Sequence, residues 1–224
     1  MRFLLIHSPL LGPSVWSALA SVLRERGHEA RAPDLRPALG AGAEAYESIA
    51  ERISALAGDG AVLVAHSGAG ALVPSVQDAA GSRVKSVIFV DALMPHPGRS
   101  WFDTLPAAAA DRLRALAADG FAPAWPDWLP SGMLGQLLPD PEVRAALVAE
   151  APRTPLAFLE ALAPNLEHWS DVIDGSYLQL SPAYVDEAGK AERLGWPVER
   201  LDGNHLSMMT QPGPVAAALL KSGT

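Results

Sequence analysis

Two short apolar runs, residues 61–65 (AVLVA) and 84–90 (VKSVIFV), constrain this chain more than any other feature. Neither shows the in–out alternation of a half-buried strand, so they predict strands covered on both faces. Strands of that kind belong to parallel sheets, where each crossover lays a helix over one face. A small-residue helix is predicted between them. The segments before them repeat the unit. Residues 3–7 form an apolar run stopped by Ser8-Pro9, and residues 14–25 place Val15, Leu19, Val22 and Leu23 at helical spacing before Gly27. Residues 29–35 predict a second strand. Residues 43–57 predict a helix with Tyr46, Ile49, Ile53 and Leu56 on one stripe. The alternation predicts an α/β fold, a mostly parallel central sheet flanked by helices.

After Pro95 the pattern changes. Residues 99–170 carry Trp101, Trp125, Trp128 and Trp169 among prolines and two or three helical patterns, with no convincing strand. They read as a helical cap inserted into a core made of residues 1–98 and 171–224. Sheet patterning resumes at residues 177–180, followed by a helix over 183–194, a strand over 198–201 and a last helix over 214–220. A length of 224 residues suits one such domain.

Composition narrows the chemistry. The chain has no cysteine, which excludes thiolate nucleophiles, iron–sulfur clusters and cysteine–zinc sites. Its 17 Lys+Arg against 25 Asp+Glu give a formal charge of −8, which argues against binding nucleic acid through phosphates. No apolar run approaches the roughly 18 residues of a membrane span. The N-terminal MRFLLIHSPLLG reads as a first strand retained in a cytoplasmic protein rather than a cleaved leader. His96 and His168 have no carboxylate or histidine at metal-ligand spacing, so no metal is expected.

The predicted strand AVLVA runs directly into His66-Ser67-Gly68-Ala69-Gly70 and then an apolar helix. A serine at a sharp strand-to-helix turn is held above the sheet with its hydroxyl exposed, and small residues around it let the turn pack closely. Here Ala65 and Ala69 flank Ser67 in a relaxed small-x-Ser-x-small form; the plainer alternative is a serine that caps the helix. A serine needs a base within hydrogen-bond reach. His205, in Leu-Asp-Gly-Asn-His between the last strand and the last helix, is the best placed of the six histidines.

Together these features resemble the α/β-hydrolase fold over nearly the whole chain. The matching parts are His7-Ser8-Pro9 after the first strand with Gly12 and Trp16 following, the AHSGAG elbow, the cap, and GNH near the C-terminus. The H-x-x-x-x-G-x-x-x-W spacing and compact cap are similar to the small plant-esterase and hydroxynitrile-lyase branch. The resemblance implies a Ser–acid–His triad, an oxyanion hole and no cofactor. It places the acid after the penultimate strand, near Tyr184, with Asp186 two residues beyond; a second family arrangement places it at Asp91, which is favoured here. It also implies that the oxyanion is held by the Gly68 N–H and the N–H of residue 9. That residue is Pro9, which has no N–H. The substitutes are the Leu10 N–H, the Ser8 hydroxyl, or a reaction that builds no oxyanion. Leu206 stands where cyanohydrin lyases carry a lysine, against that activity. His66 and His7 read as packing or bracing residues, and Trp125 and Trp128 as candidate pocket walls.

Three functions follow in order of expectation. The first is a serine hydrolase of a small, largely apolar ester, thioester or lactone, using Ser67, His205 and Asp91. The second is a non-hydrolytic lyase, epimerase or cyclase that uses the Ser–His pair for proton transfer. The third is a ligand-binding protein on an enzyme scaffold. The partner is a small molecule in each case, and the oligomeric state is left open.

Overall fold

A computed structural model describes residues 1–166 and 168–223 of the chain; Glu167 and Thr224, at the ends of the expected cap and core segments, lie outside the described residues. The N-terminal half contains strands β1 (Arg2–Ile6), β2 (Glu29–Arg31), β3 (Ala61–His66) and β4 (Val84–Val90), joined by helices α1 (Ser17–Glu25), α2 (Ala45–Ser54) and α3 (Val73–Ala80). Between β4 and the next core strand lie α4 (Ala107–Leu116), β5 (Phe121–Ala122), α5 (Met133–Leu137), α6 (Pro141–Glu150), β6 (Thr154–Pro155) and α7 (Leu156–Glu160). The core then resumes with β7 (Gly175–Gln179), α8 (Val185–Arg193), β8 (Val198–Arg200), α9 (Ser207–Thr210) and α10 (Pro212–Ser222).

The sheet has the order β2-β1-β3-β4-β7-β8, and every pairing in it is parallel. The continuous apolar runs are explained by how successive residues face opposite ways. Leu4, Ile6, Leu63, Ala65 and Phe89 point into one half of the core with Ile49, Ile53, Val73 and Val76 of α2 and α3. Phe3, Leu5, Val62, Val64, Ile88 and Val90 point into the other, against Leu19 and Leu23 of α1 and Val215 and Leu219 of α10. In a sheet wound this way the strand C-termini open toward one side, and the loops that follow them form the floor of a site.

Local departures from the sequence expectations have local causes. β2 stops at Arg31 rather than residue 35, because Pro33 follows and Asp34 folds back to accept from the Arg36 backbone and guanidinium. A 3-10 turn over Pro13–Trp16 precedes α1, and another over Pro182–Tyr184 delays α8 to Val185. Where no strand was expected, β5 and β6 pair antiparallel through two residues each, too few to leave a periodic signal.

The segment between β4 and β7 is latched to the core by polar contacts. Glu150 at the end of α6 accepts the Ser14 N–H at 2.9 Å, Arg36 donates to the Glu150 carbonyl, and the Thr154 hydroxyl donates to the Pro9 carbonyl. Gly12 is required by this latch: a Cβ there would lie 2.4 Å from the Glu150 carboxylate. Among the described residues, no helix is long and apolar enough to cross a membrane.

Candidate active site

The C-terminal ends of β3 and β4 carry two side chains in strained backbone. Ser67 follows β3 with φ +56°, and Asp91 follows β4 with φ +43°, both in the left-handed region that disfavours a Cβ. Ser67 is held there by the Leu93 N–H, which donates to its carbonyl at 3.0 Å. The same crossing explains Gly70, since a Cβ at that position would fall 1.8 Å from the Leu93 carbonyl oxygen. Such strain predicts a stability trade-off. Ser67→Gly is expected to be about 1 kcal/mol more stable than Ser67→Ala, because glycine adopts this conformation without penalty. Paired urea titrations of the two variants check this; equal midpoints contradict it.

Asp91 is fully buried and its carboxylate is saturated. One oxygen accepts the Leu180 and Ser181 backbone N–H groups at 2.8 and 3.0 Å. The other accepts the Ser181 hydroxyl at 2.5 Å and pairs with His205 Nδ1 at 2.9 Å. A carboxylate on Nδ1 holds the imidazole with its proton on that side and leaves Nε2 free to act as a base. The GNH loop that presents His205 is ordered by its own side chains: Asn204 Oδ1 accepts the Leu206 N–H, and Asn204 Nδ2 donates to the Leu137 carbonyl.

His205 is further fixed by a column of rings. Trp16 meets His66 edge-on at 5.8 Å, His66 lies 4.5 Å from His205, and Tyr184 stacks on His205 at 4.8 Å, tilted by only 3°. His66 Nε2 donates to the His205 carbonyl at 2.9 Å, which leaves its Nδ1 buried, unprotonated and without a partner among the described residues. Burial pushes the His66 imidazole well below its usual range, reinforced by the neighbouring His205. The expected packing role of His66 is thus also a backbone tether.

Ser67, Gly68, Tyr184 and His205 open onto one cavity of about 480 Å³, walled by Leu10, Trp101, Trp125 and Trp128 among others. A larger groove of about 800 Å³ lies between α3 and the side chains of Asn165, Leu166, His168, Trp169 and Val172, but neither Ser67 nor His205 reaches it. Among the described residues the Ser67 hydroxyl makes its hydrogen bond to Tyr184 Oη, at 3.3 Å, and none joins it directly to His205.

Gly68 is the second residue of the 3-10 turn Ser67–Leu72, whose first N–H groups have no intrahelical acceptor. Ser8 and Pro9 lie behind it rather than on the cavity wall. A Cβ on Gly68 would be 3.1 Å from Ser8 Oγ and 3.7 Å from Trp101 Nε1. The Leu10 N–H, one of the expected substitute donors, is engaged with Ser8 Oγ at 3.3 Å. His7 braces this loop: its Nε2 accepts the Leu35 N–H, so Nδ1 carries the proton and donates to the Ser8 carbonyl.

A sequence model described as the alpha/beta hydrolase family matches residues 3–218. The chain belongs to that family. Solved structures similar to this α/β-hydrolase family member share its fold at low identity. An extracellular α/β-hydrolase from a Paenibacillus species, described as sharing structural and functional homology with tobacco salicylic acid binding protein 2, is 22% identical with a TM-score of 0.82, over 100% of this chain and 99% of that one. Polyneuridine aldehyde esterase is 20% identical with a TM-score of 0.75, over 100% and 99%. Tomato methylketone synthase I in complex with 2-tridecanone is 16% identical with a TM-score of 0.74, over 98% and 96%. No curated protein sequence matches significantly.

Within this family member, the two candidate acids separate cleanly. Asp91 contacts His205, whereas Asp186 is exposed in the first turn of α8. Tyr184, at the position where the resemblance placed the acid, reaches Ser67 instead. Sequence reasoning did not assign roles to Tyr184, Ser181 or Trp101. Only the serine after the penultimate strand had a usable signal, as a hydroxyl at a strand end. Among the described residues there is no group of three His, Asp or Glu side chains suited to a metal.

Proposed function

We propose that this protein is a serine hydrolase of a small, largely apolar ester, thioester or lactone, working without a cofactor. Ser67 Oγ attacks the carbonyl carbon while His205 Nε2 takes its proton. The tetrahedral oxyanion rests on the Gly68 N–H, with Trp101 among the side chains lining the same cavity. His205 returns the proton to the departing oxygen or sulfur, and a water activated in the same way releases the acid from Ser67. Asp91 keeps the imidazole in the required tautomer throughout. The observation that carries this reading is the 2.9 Å pairing of His205 with a buried, fully hydrogen-bonded Asp91 beside the cavity that exposes Ser67. The described lining includes no Asp, Glu, Lys or Arg, which favours an uncharged acyl group, and the volume lies within the usual ~300–1,000 Å³ of small-molecule sites. The 2-tridecanone bound by the methylketone synthase is a ligand of similar apolar character.

A fluorophosphonate probe tests the reading. Wild type is expected to be labelled, with the adduct on Ser67, and Ser67→Ala is expected to be unlabelled. A folded wild type that resists the probe overturns it.

A second reading is favoured by Pro9, which withholds one backbone donor from the hole. A missing oxyanion donor costs about 10²–10³-fold in rate. If no other donor compensates, the Ser–His pair serves proton transfer in a lyase, epimerase or cyclase. Turnover of p-nitrophenyl butyrate at ordinary esterase rates decides for hydrolysis.

A further inference from the structure

β7 ends at Gln179, and the next two residues turn their amides onto Asp91. The 3-10 turn Pro182–Tyr184 then folds back over the site, so that Tyr184 is delivered to the cavity wall rather than to solvent. Its ring lies parallel to the His205 imidazole, and its hydroxyl ends 3.3 Å from Ser67 Oγ. Burial pushes the phenol up to about 12, against the opposing effect of the Ser67 hydrogen bond, so at neutral pH the group keeps its proton and can donate it.

Ser67 Oγ is a reacting atom twice, first as the nucleophile and later as the group expelled from the acyl-enzyme. We propose that Tyr184 is a catalytic residue whose O–H steadies Ser67 Oγ as it leaves. This rests on the hydrolase reading above. In that step a water oxygen has already bonded to the acyl carbon and given its proton to His205 Nε2. The carbon–Oγ bond then breaks, its electron pair passes to Oγ, and His205 returns the proton to Oγ. Tyr184 donates a hydrogen bond to Oγ while charge accumulates there and transfers no proton overall. In acylation the benefit is small, because the resting hydroxyl already has this partner. The asymmetry gives Tyr184 a kinetic signature that a packing role lacks.

Tyr184→Phe keeps the ring on His205 and removes only the hydroxyl. With p-nitrophenyl butyrate under stopped flow, kcat is expected to fall about 10–30-fold, a fraction of what a full oxyanion donor supplies. A stoichiometric burst of p-nitrophenol and an acyl adduct on Ser67 by mass spectrometry are expected with it, while kcat/KM stays within about threefold and the melting temperature is unchanged. Tyr184→Leu, which also removes the stack, is expected to lower kcat and kcat/KM together. An equal fall of both parameters in Tyr184→Phe, no change, or a rise in both overturns the proposal. If wild type turns over no ester and resists fluorophosphonate, the hydrolase reading fails and this proposal with it. An active wild type with unaltered Tyr184→Phe kinetics removes this proposal alone.

Discussion

Asp91→Asn is expected to lower kcat on an activated ester by about 10⁴-fold while the protein remains folded. The amide oxygen still accepts the Leu180 and Ser181 N–H groups that the carboxylate accepts at 2.8 and 3.0 Å. Its NH2 can donate to the Ser181 oxygen, so of the four contacts only the Ser181 hydroxyl proton loses its acceptor. What changes is the face toward His205. An NH2 opposite Nδ1 requires that nitrogen to be an acceptor, which moves the imidazole proton to Nε2 and removes the base from Ser67. Asp91→Ala is a poorer test, because it leaves buried donors without acceptors at about 1–3 kcal/mol each and confounds folding with chemistry. Asp186→Asn serves as the control and is expected to stay within about twofold, as suits an exposed surface change. Steady-state kinetics with circular dichroism on both variants check the assignment. An Asp91→Asn enzyme retaining more than a tenth of wild-type kcat, with activity lost in Asp186→Asn, reverses it.

The second large effect is on stability below neutral pH. His66 is fully buried and His96 is 7% exposed. Burial holds His66 well below its usual range and brings His96 down to about 4, with the nearby Arg99 adding to the shift. His7 is displaced in the same direction by burial. In the unfolded chain each imidazole takes a proton near pH 6.5. The stabilisation from keeping them neutral is therefore complete above about pH 6.5 and is lost as the pH falls toward the folded-state values. Each group contributes a slope of about 1.4 kcal/mol per pH unit within its window, so His66 and His96 together give about 3. That is large against a typical total of about 5–15 kcal/mol. Neither ring nitrogen of His96 has a hydrogen-bond partner among the described residues, so an apolar replacement forfeits no bond there. His96→Leu is expected to unfold with about one proton less of pH dependence and to match or exceed wild type at pH 5. Urea titrations from pH 7 to 4.5 measure both slopes. A flat wild-type profile contradicts the account.

The parallel sheet, its double covering and the serine at the strand-to-helix turn were legible because they depend on local chemistry. Residues 61–65 and 84–90 are apolar at every or nearly every position, and only a strand covered on both faces needs that. Ser67 and Asp91 stood out as candidates because each directly follows a strand, and His205 because it lies in the loop after the last one. The boundaries of β2 and α8 were misjudged where a proline turn, not periodicity, sets the limit.

By itself, then, the sequence determined which strands stack in parallel and which hydroxyl and imidazole are raised above them, since burial patterns and turn chemistry are written in neighbouring residues. The contact of His205 with Asp91, the engagement of the Leu10 N–H by Ser8, the meeting of Gly12 with Glu150 and the reach of Tyr184 onto Ser67 were decided only by the tertiary structure. Those contacts join residues brought together by strand order and by the direction in which a turn releases the chain. Sequence spacing carries no record of either.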